Sequence, residues 1–541
     1  MDSLWLLPLL PLLGSAVCGV LHARTLAARR ASPEADPHGT LAGGLASLTV
    51  GVGFLVACAG FLRLLGLPAD ARVLDSSTWH WIDAGSLAID VTLRLDPLSS
   101  VMTLVVTGVG LLIHVYSIGY MKGDPGFAKF FAYLNLFVSA MLMLVLSSDL
   151  LGLFIGWEGV GLCSYLLIGY WYAKERGWPA EAGQKAFVMN RIGDACLLVG
   201  SFLLVRLFGT LDLAEINASV AGLLEDPDAK RQMALAALLL FGGACGKSAQ
   251  IPLFTWLPDA MAGPTSVSAL IHAATMVTAG VYLCVRMGAL FAVETWVLAV
   301  VGIVGAATAL VGATTAFQQK DIKKVLAYST VSQLGYMFLG VAAGAWYPAI
   351  FHLVTHAFFK GLLFLGSGSV IHGMHGEQDM TRMGGLKRHM PTTWWTFMVG
   401  SFALAGLPFL SGFFSKDEIL LFAFTQGTHG STLFLALWAV GLLSAAMTAF
   451  YTARMVALTF YGEERFDAQH VHPHESPSTM TVPLGILACL AAGGGLLGVP
   501  AVVAHGDLHA LKGFLEPVYA PADAVLAAAR HGHLPHASLA A

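Results

Sequence analysis

Apolar stretches long enough to cross a bilayer follow one another along most of this chain. A hydrocarbon core needs roughly 20 residues of helix to span it, and lipid tolerates only structures that satisfy their own backbone hydrogen bonds. The 541 residues are 56% hydrophobic and 11% charged, with mean hydropathy +0.72; a soluble domain carries about 25% charged residues. The pattern predicts an all-α polytopic membrane protein, and excludes an ordinary soluble enzyme and a disordered chain. A net charge of −4 supplies no basic field for nucleic acid. The N-terminus begins with Asp2, and Arg24, Arg29 and Arg30 come after the apolar run. That order predicts a retained first span with its N-terminus outside, not a cleaved signal peptide.

Hydropathy predicts about 14 transmembrane helices. They fall at 4–23, 41–67, 97–118, 127–147, 149–171, 185–208, 233–258, 265–290, 295–317, 323–345, 350–372, 392–426, 432–460 and 481–504. Loops on one side then hold 15 basic residues, from Arg24 through Lys122, Lys129, Lys174, Arg176, Lys320 and Lys324 to Arg465, against 6 on the other. The positive-inside rule places the richer side in the cytoplasm and both termini outside. Residues 68–96 form an outside loop; 461–480, rich in His and Glu, form a cytoplasmic, solvated one. The seven cysteines stand singly, with no CxxC, so neither a cluster nor a zinc site is implied.

Ionisable residues at a helix centre cost about 2.5–3.5 kcal/mol on insertion scales, so they mark function by default. Here they concentrate in the fifth to twelfth spans: Glu158, Arg191, Asp194, Lys247, Lys360 and Lys416, joined by His272, His352 and His356. Burial lowers a lysine's affinity for its proton and a nearby carboxylate restores it. A movable Glu–Lys pair is therefore a two-state proton switch, and Glu158 with Lys247 is a candidate. His352, His356 and Lys360 lie four residues apart on one helix face. A hydrated proton relay, core packing and HxxxH metal ligation all fit that stripe. The last lacks the HExxH glutamate, because residue 353 is Leu. Buried ion pairing alone is the structural alternative for any single charge.

Two spans carry breaks, Lys247 preceding Pro252, Pro258 and Pro264, and Pro408 preceding Lys416 and Asp417. Proline frees a helical carbonyl, and breaks at matching places in two halves mark ion sites in transporters. The halves share weak similarity: DACLLVG at 194–200 with KGLLFLG at 360–366, and IPLF at 251–254 with LPFL at 407–410. Together these suggest two repeats of five helices, which an odd helix number makes inverted.

Longer strings resemble a known family. GWEGVGLCSY (156–165), GKSAQ (246–250), SALIHAATMV (268–277), DIKKVLAYS (321–329), THAFFK (355–360) and GFFSKDE (412–418) are similar to the antiporter-like membrane subunits of respiratory complex I, nearest to subunit L (chain 5) of NADH–quinone oxidoreductase. The resemblance implies a 14-helix core. Helices 1–3 fill 1–126, a first repeat 127–290, a second inverted repeat 295–460, and helix 14 481–504; a tail at 505–541 is too short for the family's lateral helix and final anchor.

It further implies proton translocation driven by electron transfer elsewhere, as the non-redox part of a translocase. The path runs through Glu158, Lys247, His272, His352, His356, Lys360 and Lys416, with Arg191, Asp194, Lys323 and Asp417 as supporting charges. No cofactor or metal is expected on this chain, since no GxGxxG follows a strand. NADH, flavin, iron–sulfur clusters and quinone would belong to other subunits. Expected partners are other membrane subunits of the complex, above all a neighbouring antiporter-like subunit, and lipids of a bacterial inner membrane. A cation/proton antiporter subunit, or a subunit of a bicarbonate-accumulating or hydrogenase complex, is the alternative; a purely structural scaffold is a third.

Overall fold

A computed structural model of the chain describes residues 2–32, 38–84, 87–174, 177–467, 469–499 and 509–531. Arg176, the end of the last expected span (500–504) and the tail segments 505–508 and 532–541 lie outside these.

Twelve helices among the described residues are long and apolar enough to span a membrane. The first four are α1 (Leu6–Ala31), α2 (Leu41–Leu65), α3 (Pro97–Tyr120) and α4 (Phe127–Leu146). Next come α5 (Leu150–Ile168), α6 (Trp178–Phe208) and the short α7 (Leu213–Ser219), which does not cross. Two of the fourteen expected spans are not among the twelve, and both hold a break. The stretch expected at 233–258 is α8 (Pro227–Lys247), a turn, and the single-turn α9 (Trp256–Asp259). The next span is itself discontinuous: α10 (Thr265–Ala269), a π-turn at Leu270–Ala274, a 3-10 turn, α11 (Ala279–Arg286) and α12 (Gly288–Phe291). Then follow α13 (Thr295–Ala316), α14 (Ile322–Ala342) and α15 (Trp346–Gly373). The span expected at 392–426 is two helices, α16 (Pro391–Ala405) and α17 (Ser411–Thr428), ahead of α18 (Thr432–Phe460) and α19 (Ser478–Gly493).

Helix pairs close where glycine lets backbones touch, the usual source of adhesion in lipid. A Cβ on Gly305 would stand 2.8 Å from the Gly335 carbonyl, locking α13 onto α14, and one on Gly193 3.0 Å from the Gly242 carbonyl, locking α6 onto α8. The helices α14 and α15 are buried almost throughout, so they form the axis of the bundle.

The outside loop is not a loop. Residues Leu74–Ala84 and Leu87–Leu95 pair as antiparallel strands β1 and β2, and Trp79 stacks on Trp5 at 6.0 Å. Among the described residues the fold is therefore helical with one hairpin. Hydropathy misses the strands because period-two alternation averages to neutral over a span-length window. The tail also holds structure, a helix α20 (Ala510–His531). Its buried Leu511, Phe514, Leu515, Ala522, Val525 and Leu526 recur at helical spacing, the signature of an amphipathic helix lying on a surface.

The two membrane faces are told apart by what lines them. A cavity of about 380 Å³ gathers Arg72, Arg94, Asp96, Arg286 and Pro517 beside the hairpin. Another of about 680 Å³ gathers Tyr120, Trp178, Asp259, Lys320 and Gln378 at the opposite helix ends. Asp149 caps α5 and its backbone pairs with that of Asp212 as an isolated antiparallel β-bridge on the hairpin face; Asp321 caps α14 and its backbone pairs likewise with Asp379 on the basic face.

Candidate functional site

The breaks leave carbonyls without an intrahelical donor, and side chains reach back to them. Around the first break, the Trp256 indole donates to the Gly246 carbonyl at 3.0 Å. Before Pro264, the Lys323 ammonium donates to the carbonyls of Met261 and Gly263 at 2.6 and 2.7 Å. At the second break, Gly406 ends α16 in the left-handed region (φ 82°), and the Lys416 ammonium donates to Leu404 at 3.0 Å. Thus Pro252, Pro264 and Pro408 each stand by a carbonyl that an inward-facing side chain holds.

Lys247 is fully buried. Its carboxylate partner is Asp194, 3.3 Å away, which the Trp157 indole also holds at 2.7 Å. The expected Glu158–Lys247 pair is thus electrostatic and not a direct contact. Glu158 contacts Arg191 at 2.6 Å, and that guanidinium is half-exposed. Both carboxylates lie within electrostatic reach of Lys247, so the four charges form one cluster with Asp194 innermost. A Cβ on Gly161 would stand 2.9 Å from the lysine nitrogen, so glycine makes room for it.

From this cluster a polar row continues through the bundle. The Trp256 ring lies 6.2 Å from His272, which sits in the π-turn 270–274. No Pro or Gly lies inside 270–274 to announce that turn; the signals are Thr275 and Thr278, whose hydroxyls donate to the Leu270 and Thr275 carbonyls. His272, His356 and Lys360 are mutually within electrostatic reach. Lys360 donates to the Ser329 hydroxyl and, at 3.4 Å, to the Leu326 carbonyl on α14. His352 shares a hydrogen bond of 2.9 Å with Ser415, the residue before Lys416. Lys416 lies over the Tyr336 ring at 5.4 Å. Neither ring nitrogen of His272 has a hydrogen-bond partner among the described residues, nor does the side-chain amide of buried Gln333.

The structure thus brings Lys247, Asp194, Glu158 and Arg191 together at one end and Lys360, His352, His356 and Lys416 at the other, with His272 between. Lys323 sits at the base of the basic-face cavity. Asp417 stands apart, exposed on the outer side of α17. The sequence reading did not single out Trp157, Trp256, Ser329, Gln333 and Ser415. Ser329 and Ser415 lie inside the quoted strings, but a hydroxyl's partner across a bundle is not encoded by spacing.

Fold and row together define a class: polytopic helical membrane subunits whose broken helices carry lysines inside the bilayer. Residues 147–448 match the family described as NADH:quinone oxidoreductase/Mrp antiporter, TM, and residues 81–131 match NADH-Ubiquinone oxidoreductase (complex I), chain 5 N-terminus. The NADH-quinone oxidoreductase subunit L of Mycobacterium tuberculosis is 48% identical over 506 residues, 93% of this chain and 76% of that protein. Subunit L of Escherichia coli is 47% identical over 480 residues, 86% of this chain and 76% of that protein. Among solved structures, a chain of the Mrp complex from Dietzia superposes with TM-score 0.76 at 30% identity, covering 98% of this chain and 52% of that one. A chain of an archaeal membrane-bound sulfane sulfur reductase superposes equally well (TM-score 0.76) at 22% identity and shares the fold. The chain belongs to the subunit L family of NADH-quinone oxidoreductase, and it is an integral membrane protein.

Proposed function

We propose that the chain is the proton-translocating subunit L of an NADH–quinone oxidoreductase, the non-redox part of a translocase. Redox cofactors in other subunits would supply the driving force, and this chain's buried row would move the protons. The observation that carries the reading is that three buried lysines, Lys247, Lys360 and Lys416, occupy one polar row, each beside a group that can stabilise or release its proton. Asp194 favours charged Lys247; if Asp194 swings toward Glu158 and Arg191, the lysine loses that support and sheds its proton. His272, His352 and Gln333 carry buried polar atoms with no hydrogen-bond partner among the described residues, a costly state in a low dielectric unless water serves them. Such water is the medium a relay needs, which supports His272, His352 and His356 as carriers between the lysines.

The two Asp-to-Asp bridges on opposite faces support two inverted repeats, 127–290 and 295–460, with α5 answering α14 and α6 answering α15. In this arrangement the basic face is cytoplasmic, the hairpin face is periplasmic, and the neighbouring antiporter-like subunit and lipids of the inner membrane surround the bundle. The likeness to the Mrp chain supports a second reading, a cation/proton antiporter subunit built on the same core.

The test is NADH-driven proton uptake into inverted vesicles, with NADH oxidation recorded in parallel, for wild type and Lys416→Met. The expected result is assembled complex that loses most of its proton uptake, with oxidation slowed where coupling is tight. Uptake and oxidation both at wild-type level, with the subunit present, would remove the chain from this role; sodium-dependent uptake would then favour the antiporter.

A further inference from the structure

We propose that Glu418, together with Tyr347 and His509, is the station where the buried row exchanges protons with the hairpin face; this rests on the translocation reading above. The helices α15 and α17 run antiparallel. His352 meets Ser415 at 2.9 Å, and one turn further out Tyr347 and Glu418 are electrostatic neighbours. The row of Lys360, His356 and His352 therefore leads along α15 to these two side chains.

Their surroundings are unlike those of a packing contact. The Glu418 side chain is only 11% exposed; Oε1 lies 4.0 Å from His509 Nδ1, and Oε2 has no hydrogen-bond partner among the described residues. A structural charge-assisted bond would close to roughly 2.7–2.9 Å. The Tyr347 hydroxyl is buried and likewise without a partner, pressed against Gly498, where any Cβ would collide with it. The His509 ring meets Tyr347 edge-on at 6.2 Å. Other titratable groups facing Glu418 are Asp417 on its own helix and Lys512 and Tyr519 on α20. Asp417 points to the outside of the bundle, so it is not the link to the row.

Three side chains that can carry or relay a proton thus converge, each short of a partner among the described residues, where α15 and α20 both begin. A proton leaving the His352–Lys416 end would bind the Glu418 carboxylate to give the neutral acid, pass to the His509 imidazole, and leave that imidazolium for water. The Tyr347 hydroxyl can donate its proton while accepting another. Only O–H and N–H bonds form and break; no bond between heavy atoms changes.

The experiment uses the assembled complex in inverted vesicles and measures the rate of NADH-driven proton uptake per assembled complex, with NADH oxidation recorded in parallel. Glu418→Gln is expected to lower that rate roughly tenfold, and Glu418→Asp to keep most of it. Tyr347→Phe removes one oxygen and keeps the packing; it is expected to lower the rate about twofold, and it decides the matter alone if the Gln variant does not assemble. Lys360→Ala is the internal control. If it abolishes uptake while the Glu418 and Tyr347 variants keep the wild-type rate, the station is overturned and the translocation reading stands. If Lys360→Ala also keeps the rate, the translocation reading fails, and the station with it.

Discussion

Arg286 holds Asp96 with both arms of its guanidinium, one at 2.9 Å, and the same carboxylate accepts the Ser99 amide as the cap of α3. One salt bridge therefore ties α11 to the start of α3 on the hairpin face, in surroundings almost closed to solvent. Removing one partner of a buried pair strands the other charge, at a cost of about 3–5 kcal/mol. Arg286→Met should accordingly lower the thermal midpoint of the solubilised protein sharply, and Arg286→Lys should recover only part because it lacks the fork. A midpoint equal to wild type would show that the pair contributes nothing. At this scale the sequence was legible for identity and not for partnership. That Glu158, Arg191, Asp194 and Lys247 were unusual follows from their setting among apolar residues. That Asp194, rather than Glu158, meets Lys247 depends on how α5, α6 and α8 are rotated against one another, which spacing within each helix leaves open.

Among elements, the cap of α14 offers a test by pH. Asp321 accepts the amides of Lys323 and Lys324 at 2.8 and 3.3 Å. Burial pushes its carboxyl above the ordinary 3.8, outweighing the pull of Lys323 and of the two amides. A carboxyl whose folded pKa is raised binds its proton more tightly in the folded chain, so its contribution to stability falls as pH rises from the unfolded value through the folded one. Asp321→Asn, which still caps a helix, should therefore match or exceed wild type in thermal stability at neutral pH. Below the ordinary carboxylate pKa wild type should gain relative to the variant. An Asn variant less stable at neutral pH than in acid, relative to wild type, would contradict this. The breaks at Pro252 and Pro408 were visible as prolines beside lysines. The third, at the π-turn, was not, because hydroxyls and not proline mark it. The hairpin and α20 were overlooked for one shared reason: an averaging window tuned to 20 apolar residues cannot see alternation or a one-sided helix.

For the whole molecule, the repeats inferred from short sequence matches find physical support in the paired aspartate caps on opposite faces. Among the described residues, the number of continuous spans is below fourteen for a reason that has its own consequence. The helix α8 ends on Lys247, at the middle of the broken span 233–258, and α17 carries Lys416, Asp417 and Glu418. Each charge costs about 2.5–3.5 kcal/mol at the centre of a membrane helix on the insertion scale, so neither helix has enough apolar surface to leave the translocon alone. The residues that would carry protons in the finished protein are thus an obstacle while it is being made. Nascent chains stopped after α8 should leave that segment uninserted in a glycosylation-mapping assay, and chains extended through α11 should insert it. Insertion of α8 by itself would refute this. The ribosome would then be expected to hand these segments to the membrane in pairs with their successors, so that biogenesis of the bundle is cooperative where its chemistry is concentrated.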